Sequence, residues 1–252
     1  MRTRITALSL ILWLMTAALP EPSQGGAPER RRVTIDPSGL QPVFPKQARC
    51  PEIASPFGSP TRYDGSPRPK WAFGGLHGGI DISLPEGTPL LALATGTLVS
   101  KGEGGQMEGI YLWLRHSPEE TGLAYWLFSK YQHLQSLPEP AVGARVVVGD
   151  LVARSGRTGT MGGHYGARGY PHLHLTTLKS SSGDQTVGSR GEAQGAELID
   201  PLVIYHEASA KPKASLLPAP QLRVVAIPYA TTDGRLWPQG TRVVWPVACE
   251  PR

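Results

Sequence analysis

The sequence predicts a mostly β fold, with antiparallel strands arranged as a sandwich or an open barrel. Glycine and proline are abundant, with 30 and 25 of the 252 residues, so turns interrupt the chain often and long helices are disfavoured. Short runs rich in aromatic and β-branched residues lie between these turns, as is typical of antiparallel strands. The hydrophobic content of 40% is sufficient for a core.

The predicted strands follow one another along the central part of the chain. They cover residues 88–99, 109–115, 123–134, 145–155 and 171–179. No amphipathic helix of more than three turns is evident, so few helices are expected.

The C-terminal region predicts a small β-hairpin. Strand-like runs at 222–227 and 241–245 flank Asp233-Gly234, a dipeptide that favours tight turns.

The chain divides into four predicted segments. Residues 1–19 have a basic start, an apolar run and small residues at its end, as in a secretory signal. The apolar run is shorter than the roughly 20 residues that span a bilayer, so no stable membrane span is expected after signal removal. Residues 20–50 are expected to be a linker, 51–205 the main domain and 206–252 a C-terminal extension. The mature chain is expected to be a monomer in the periplasm or outside the cell.

The two cysteines are predicted to form a disulfide. Cys50 and Cys249 make an even count in a chain with an export signal, a context that favours oxidised pairs. The bond would tie the C-terminal extension to the start of the main domain. Neither residue belongs to a Cys-x-x-Cys pair, so zinc bound by thiolates is not expected.

The net charge of +5 favours an anionic partner. An acidic cell wall and a nucleic acid both fit that charge. The basic run at 30–32 contains no aromatic residues on which bases would stack, so nucleic-acid binding is not expected.

A pair of histidines falls within the last predicted strand of the main domain. Because alternate strand residues face the same side, His172 and His174 point one way while Leu173 and Leu175 point into the core. An isolated pair of this kind is more often exposed on the wet face of a sheet.

Two other stretches carry further candidate residues. His77 and Asp81 would lie roughly 13 Å apart in an extended chain, but the two glycines between His77 and Ile80 allow a bend that brings the side chains together. His133 ends the aromatic-rich strand at 123–134. Taken singly, each stretch fits a surface turn or a hydrogen-bonded core histidine.

Taken together, the three stretches predict a zinc site. Two imidazoles and a carboxylate suit a catalytic zinc ion that keeps its fourth position for water. We therefore predict His77, Asp81 and His174 as zinc ligands, and His133 and His172 as catalytic residues that move protons and stabilise the oxyanion. The sequence lacks the His-Glu-x-x-His motif, so no glutamate base of the usual metalloprotease kind is expected.

These motifs resemble those of the lysostaphin/LytM-type zinc peptidases, which cut peptidoglycan peptides. The resemblance covers about residues 52–205, and its full set of motifs is highly specific. The matching stretches lie at 76–81, 131–134, 142–149, 155–159, 172–174 and 200–201.

The resemblance implies a mostly antiparallel β fold with a narrow groove and the zinc ligands and catalytic histidines assigned above. It implies an exported zinc endopeptidase that hydrolyses peptidoglycan stems or cross-bridges. Two departures stand out: Leu175 and Thr176 occupy positions where relatives usually carry an aromatic residue and an acid, and the stretch between Gly159 and His172 is longer than usual. His164 in that stretch fits an exposed loop residue better than a lid residue.

A catalytically silent wall-binding module, or an activator of another wall hydrolase, is the alternative from a different class. Such relatives usually lose metal ligands, whereas this chain keeps the complete set. The bond that is cut stays open at this point. It also stays open whether the linker, the loop at 160–171 or the tail blocks the groove.

Overall fold

A computed structural model describes residues 35–160, 169–184, 187, 195–209 and 223–252. The predicted signal at 1–19, the first part of the predicted linker and His164 lie outside this range. Within the described part the fold is mostly β, with two short helices and a large antiparallel sheet, which confirms the predicted class.

The strands are short, as the frequent turns predict. In chain order they are β1 (Leu40–Val43), β2 (Ala48–Arg49), β3 (Ile53–Ser55), β4 (Ile80–Ser83), β5 (Pro89–Leu91), β6 (Gly96–Glu103), β7 (Ile110–His116), β8 (Trp126–Gln132), β9 (Arg145–Val146), β10 (Leu151–Arg154), β11 (His172–Ser180), β12 (Glu197–Ile199), β13 (Arg223–Ala226), β14 (Tyr229–Ala230), β15 (Leu236–Trp237) and β16 (Glu250–Pro251). The helices are α1 (Pro118–Thr121) and α2 (Pro201–Ser209), and Phe73–Gly75 forms a single 3₁₀ turn.

Eight strands form the main sheet, in the order β3-β4-β11-β8-β7-β6-β9 with β12 also paired to β11. The pairings among them are antiparallel. Strand β11 lies between β4 and β8, and this position determines where the site forms. It places His174 directly opposite Asp81 on one side and opposite Gln132 on the other.

The alternation of side chains along β11 and β8 fixes the core. Leu173 and Leu175 are completely buried, as predicted. Tyr131 is buried too, and its phenol donates to the carbonyl of Leu91 and accepts from the amide of Leu93. The intervening residues of both strands face the other side of the sheet, where they are free to form a site.

The C-terminal extension packs back onto the main domain. Trp245 is fully buried, its indole nitrogen donates to the carbonyl of Pro51 at 2.9 Å, and its ring meets Phe44 edge-on at 5.3 Å. Two backbone bonds, from Val244 to Leu93 and from Leu91 to Pro246, continue the contact.

The predicted hairpin is right in its turn and wrong in its strands. The turn at 232–234 joins β14 and β15, which pair with each other. The run at 222–227 instead forms β13, which pairs in parallel with β1. The run at 241–245 is irregular and makes a single bridge, from Val243 to Ala94, because it fills a gap in the core instead of extending a sheet.

The described end of the predicted linker belongs to the folded body. Strand β1 pairs with β13, and β2 pairs with β16. Leu40 and Ala48 are buried in the main core. Apolar residues were sparse in this stretch, and the partners of β1 and β2 lie about 180 and about 200 residues away along the chain. Local periodicity therefore could not predict the pairing.

The predicted disulfide between Cys50 and Cys249 is present. Within the described residues no helix is both long and apolar enough to pass through a membrane.

Removal of the disulfide should cost stability without harming the groove described below. It closes a loop with a sequence separation of 199 residues, so we expect the Cys50→Ser/Cys249→Ser variant to lose about 2–5 kcal/mol of unfolding free energy. Urea denaturation measures this, and reduction of the wild-type chain should reproduce the loss. An unchanged denaturation midpoint in both experiments would contradict the prediction.

Candidate metal centre and catalytic histidines

Three side chains meet at one point of the sheet. Asp81 on β4 and His174 on β11 are cross-strand partners, and His77 lies just before β4. His77 Nε2 lies 3.1 Å from Asp81 Oδ1 and 3.0 Å from His174 Nδ1, and His174 Nδ1 lies 2.8 Å from the same Asp81 oxygen. The structure thus brings together the three residues predicted as ligands. Among the described residues, they form a group able to hold a metal ion.

The spacing of these three atoms fits a tetrahedral metal ion. Ligands at about 2.0–2.2 Å from zinc stand roughly 3.3–3.6 Å from one another at tetrahedral angles. The observed separations of 2.8–3.1 Å are a few tenths shorter. A small outward movement of the side chains would therefore accommodate the ion.

The ring nitrogens of His77 and His174 that face away from Asp81 both have other hydrogen-bond partners. His77 Nδ1 lies 3.0 Å from the carbonyl of Pro56, so that nitrogen carries the proton and donates it. His174 Nε2 lies 3.0 Å from the hydroxyl of Thr176, to which it can donate. The nitrogens that face Asp81 could then bind a metal ion. This second set of partners is typical of metal-binding histidines.

The electrostatics also favour a cation. Asp81 is almost completely buried. Burial alone would raise the pKa of its carboxyl group, but the nearby rings of His77 and His172 and the hydrogen bonds at the site hold that pKa well below its usual range. Burial lowers the pKa of His174 to about 4. The site is therefore a carboxylate beside a neutral imidazole at neutral pH.

The two glycines between His77 and Ile80 lie in the predicted bend and are also needed for space. A Cβ on Gly79 would come within 2.4 Å of the carbonyl oxygen of Leu175 and 2.8 Å of His174 Nε2. A Cβ on Gly78 would come within 2.7 Å of the ring of Phe73. Neither glycine has the positive φ that would exclude other residues. The bend predicted at these glycines is present, and close packing, not φ, is what requires glycine there.

A methyl group at Gly79 should disrupt the centre. The clash with the backbone of Leu175 cannot be relieved by a rotamer change, so we expect Gly79→Ala to cost about 1–3 kcal/mol of unfolding free energy and to weaken zinc binding. Gly105→Ala is the matched control, because a Cβ on Gly105 would meet no atom within 4 Å. Thermal unfolding and zinc titration of both variants test this, and equal behaviour of the two would contradict it.

His133 reaches the groove through a left-handed backbone conformation. Lys130 and Gln132 face the groove, so regular alternation would point His133 away from it. His133 instead has φ of 63°, which breaks the alternation and turns the ring toward the same side. Such conformations cost of order 1–3 kcal/mol and cluster at functional sites.

Thr158 holds His133 in place. Its carbonyl accepts from His133 Nδ1 at 2.8 Å, and its hydroxyl donates to the carbonyl of Leu134 and accepts from the amide of Ile110. The neighbouring Gly159 lies so close to Gly109 that a Cβ would come within 2.2 Å of the Gly109 nitrogen. The motif at 155–159 thus fixes the orientation of the ring.

His172 is oriented in the same way. Its Nδ1 donates to the carbonyl of Tyr170 at 2.9 Å, and its ring stacks on the Tyr170 ring with centroids 4.4 Å apart. The rings of His172 and His133 lie 4.6 Å apart, and His172 Nε2 is 3.6 Å from Asp81 Oδ1. Burial lowers the pKa of both His133 and His172. Both rings are therefore neutral at neutral pH.

The centre lies in a groove of about 780 Å³. One side of the groove is a segment that we call the lip, residues 57–76, which carries the exposed Trp71 and the partly exposed Phe73. The other side includes Glu108 and Lys130, which form an ion pair. Among the described residues, those that line the groove fall between 62 and 176. The described parts of the predicted linker and of the C-terminal extension therefore do not block it.

Three contributors to the site were not predicted from the sequence. Arg68 donates to Asp81, Thr158 holds His133, and Tyr170 stacks on His172. Thr158 falls within one of the motifs that carry the resemblance, so its position was available as a signal. Arg68 and Tyr170 lie in segments without periodicity, and no sequence signal marked them.

His116 was given no functional role from the sequence. It is completely buried, and its ring nitrogens contact the carbonyl of Thr95 and the hydroxyl of Ser129. These partners account for it as a hydrogen-bonded core histidine.

Comparison with known proteins finds zinc peptidases and their relatives. Residues 75–193 match the profile of peptidase family M23. An uncharacterized metalloprotease of Haemophilus influenzae is 34% identical over 131 residues, which is 51% of this chain and 22% of that protein. The chain therefore spans about a fifth of the length of this relative.

Solved structures that are similar to this chain include the following three. LytU is 28% identical with a TM-score of 0.43, over 63% of this chain and 86% of LytU. The catalytic domain of the antimicrobial peptidase lysostaphin from Staphylococcus simulans is 24% identical with a TM-score of 0.42, over 60% and 90% of the two chains. A zinc-containing peptidase from Vibrio cholerae is 22% identical with a TM-score of 0.40, over 67% and 38%.

Proposed function

We propose, from the match of residues 75–193 to the profile of peptidase family M23, that the protein belongs to this family and is an exported zinc endopeptidase that hydrolyses peptide bonds in peptidoglycan stems or cross-bridges. The observation that carries this proposal is the convergence of His77, Asp81 and His174 on one point, with two further histidines facing it. A complete set of this kind favours an enzyme over a catalytically silent wall-binding module.

His77 Nε2, Asp81 Oδ1 and His174 Nδ1 would hold the zinc ion. When bound there, zinc supplies Lewis acidity that makes water more acidic and polarises a carbonyl group. Nitrogen and oxygen ligands in this number suit zinc better than magnesium or calcium, which prefer oxygen alone.

His133 and His172 carry the proton transfers. The Nδ1–H of each ring is bound to a backbone carbonyl, so Nε2 of each ring bears the lone pair. A neutral ring of this kind accepts a proton as the water oxygen bonds to the scissile carbonyl carbon. The same proton then passes to the amide nitrogen as the carbon–nitrogen bond breaks. The second neutral ring accepts the other proton of the water as the product acid ionises, and the imidazolium so formed stabilises the negative charge on the product carboxylate.

The groove suits an extended peptide. The cationic side chains of Arg62, Arg68 and Lys130 line it. Two of these cations are paired, with Asp81 and Glu108, so Arg62 and a metal ion, when bound, would leave an excess of positive charge. That excess supports a substrate that carries carboxylates, as peptidoglycan stems do.

We place the mature protein outside the cytoplasm. The signal-like segment at 1–19 and the disulfide both support export. Cell fractionation followed by N-terminal sequencing would test this. A full-length chain recovered from the cytoplasm would contradict it.

Digestion of purified sacculi tests the proposed function. The wild-type chain with zinc should release soluble fragments, chelator should stop the release, and mass analysis of the fragments should identify the bond. Asp81→Asn removes the charged ligand with little change in size and should be inactive, whereas His206→Ala alters an exposed residue of α2 and should be active. Release that persists in chelator or in Asp81→Asn would overturn the proposal. Zinc-loaded protein that releases nothing but binds a wall hydrolase tightly would favour the activator.

A further inference from the structure

We propose that Arg68 is a positioning residue that couples metal binding to the order of the lip, residues 57–76. This inference rests on the proposed function, because it concerns the same metal centre. Its evidence is a set of contacts that the sequence motifs do not include.

Arg68 contacts the carboxylate oxygen that faces away from the metal ligands. Its Nη2 donates to Asp81 Oδ2 at 3.3 Å, while Oδ1 of the same carboxylate faces His77 and His174. The guanidinium therefore occupies one oxygen and leaves the other for the metal ion. Its positive charge also balances that of the buried carboxylate.

Arg68 is itself held by the lip and by the edge of the sheet. Nη2 also donates to the hydroxyl of Ser55 at 2.9 Å, and Nε donates to the carbonyl of Thr61 at 3.2 Å. Its amide donates to the carbonyl of Pro60. A planar guanidinium can make these contacts at once because its donors point in fixed directions.

Two further contacts join the lip to the metal centre. The amide of Gly58 donates to the carbonyl of His77 at 2.9 Å. The ring of Phe73 packs against Gly78, where a Cβ would come within 2.7 Å of the ring. Three parts of the lip therefore contact the segment that carries His77 and Asp81: the start of the lip, its middle and its end. Of these contacts, the one made by Arg68 is ionic and reaches a ligand side chain directly.

The consequence follows from linkage. If the lip holds Asp81 in its ligand geometry, then a metal ion bound to Asp81 must stabilise the lip by the same free energy. Metal binding would thereby place Trp71 and Phe73 at the side of the groove. The metal would support substrate binding as well as the chemical step.

Zinc titration of variants tests the first half of the inference. Removal of a partner of a metal ligand typically weakens metal binding by about 10–100-fold, and we expect this for Arg68→Ala. Arg68→Lys keeps the positive charge but loses the planar set of N–H donors that contacts Asp81, Ser55 and Thr61 together. Its zinc affinity should therefore fall between those of Arg68→Ala and the wild type. Lys70→Ala removes an exposed cation of the same lip and should bind zinc as the wild type does. Cobalt(II) in place of zinc should show an altered visible spectrum in Arg68→Ala alone, because the released carboxylate oxygen can then join the coordination.

Hydrogen exchange tests the second half. Zinc should slow amide exchange across the lip in the wild type and in Lys70→Ala, and much less in Arg68→Ala. Equal zinc affinity and equal lip protection in the Arg68 variants and the wild type would overturn this inference alone. A wild-type chain that binds no zinc would overturn the proposed function and this inference with it.

Discussion

We expect the His174→Ala variant to lose zinc binding and, with it, peptide hydrolysis. In the proposed metal centre His174 supplies one of the two nitrogen ligands, and it lies directly opposite Asp81 in the sheet. Removal of a ligand should weaken zinc binding more than the roughly 10–100-fold loss that follows removal of a ligand's partner. The loss of the Lewis acid should then lower kcat/KM on the order of 10³–10⁴-fold.

The measurement combines bound zinc per chain with the rate of fragment release at saturating zinc. His174 lies on β11, whose core residues Leu173 and Leu175 are unaffected, so the fold should persist. His206→Ala is the matched control, because it removes an exposed imidazole from α2. A His174→Ala chain that retains one zinc and full activity would contradict the ligand assignment.

The second large effect concerns His133. We expect His133→Asn to lower kcat about 10²–10⁴-fold, which is typical for loss of a general acid or base, with zinc binding near the wild-type level. Asparagine is chosen because it tolerates the left-handed conformation at this position, whereas its amide cannot carry the proton. The expected separation of zinc content from turnover distinguishes a catalytic residue from a ligand.

Zinc stoichiometry and single-turnover kinetics measure this separation. His206→Asn provides the same change at an exposed position and should leave both quantities unchanged. Loss of zinc in His133→Asn would make His133 a ligand instead, and unchanged kcat would remove it from the mechanism.

Local patterns in the sequence predicted much of the site. Alternation in β11 placed His172 and His174 on one side with Leu173 and Leu175 in the core, because a strand has a strict period of two. The residue types at His77 and Asp81 suited a zinc site, and the bend predicted at the intervening glycines is present. The tight packing of Gly79 against β11 was not predicted. A clash with another strand cannot be read from a single segment, since it depends on how closely β11 approaches.

The contacts that depend on tertiary structure were not predictable. Arg68 reaches Asp81 through the irregular lip, and the parallel pair β1–β13 joins segments about 180 residues apart. Neither has a periodic signature, because each is set by the packing of distant segments. For residues 241–245 the sequence predicted a strand that is not present. The composition of this run suits a strand, but in the structure Trp245 fills the core and the run makes one bridge, from Val243 to Ala94.

The most direct test of the central claim is titration of metal-free protein with zinc, with bound metal and sacculus hydrolysis followed in the same samples. The arrangement of His77, Asp81 and His174 predicts that hydrolysis rises in proportion to bound zinc and reaches its maximum at one ion per chain. Hydrolysis by the metal-free protein, or maximal hydrolysis unrelated to bound zinc, would contradict it.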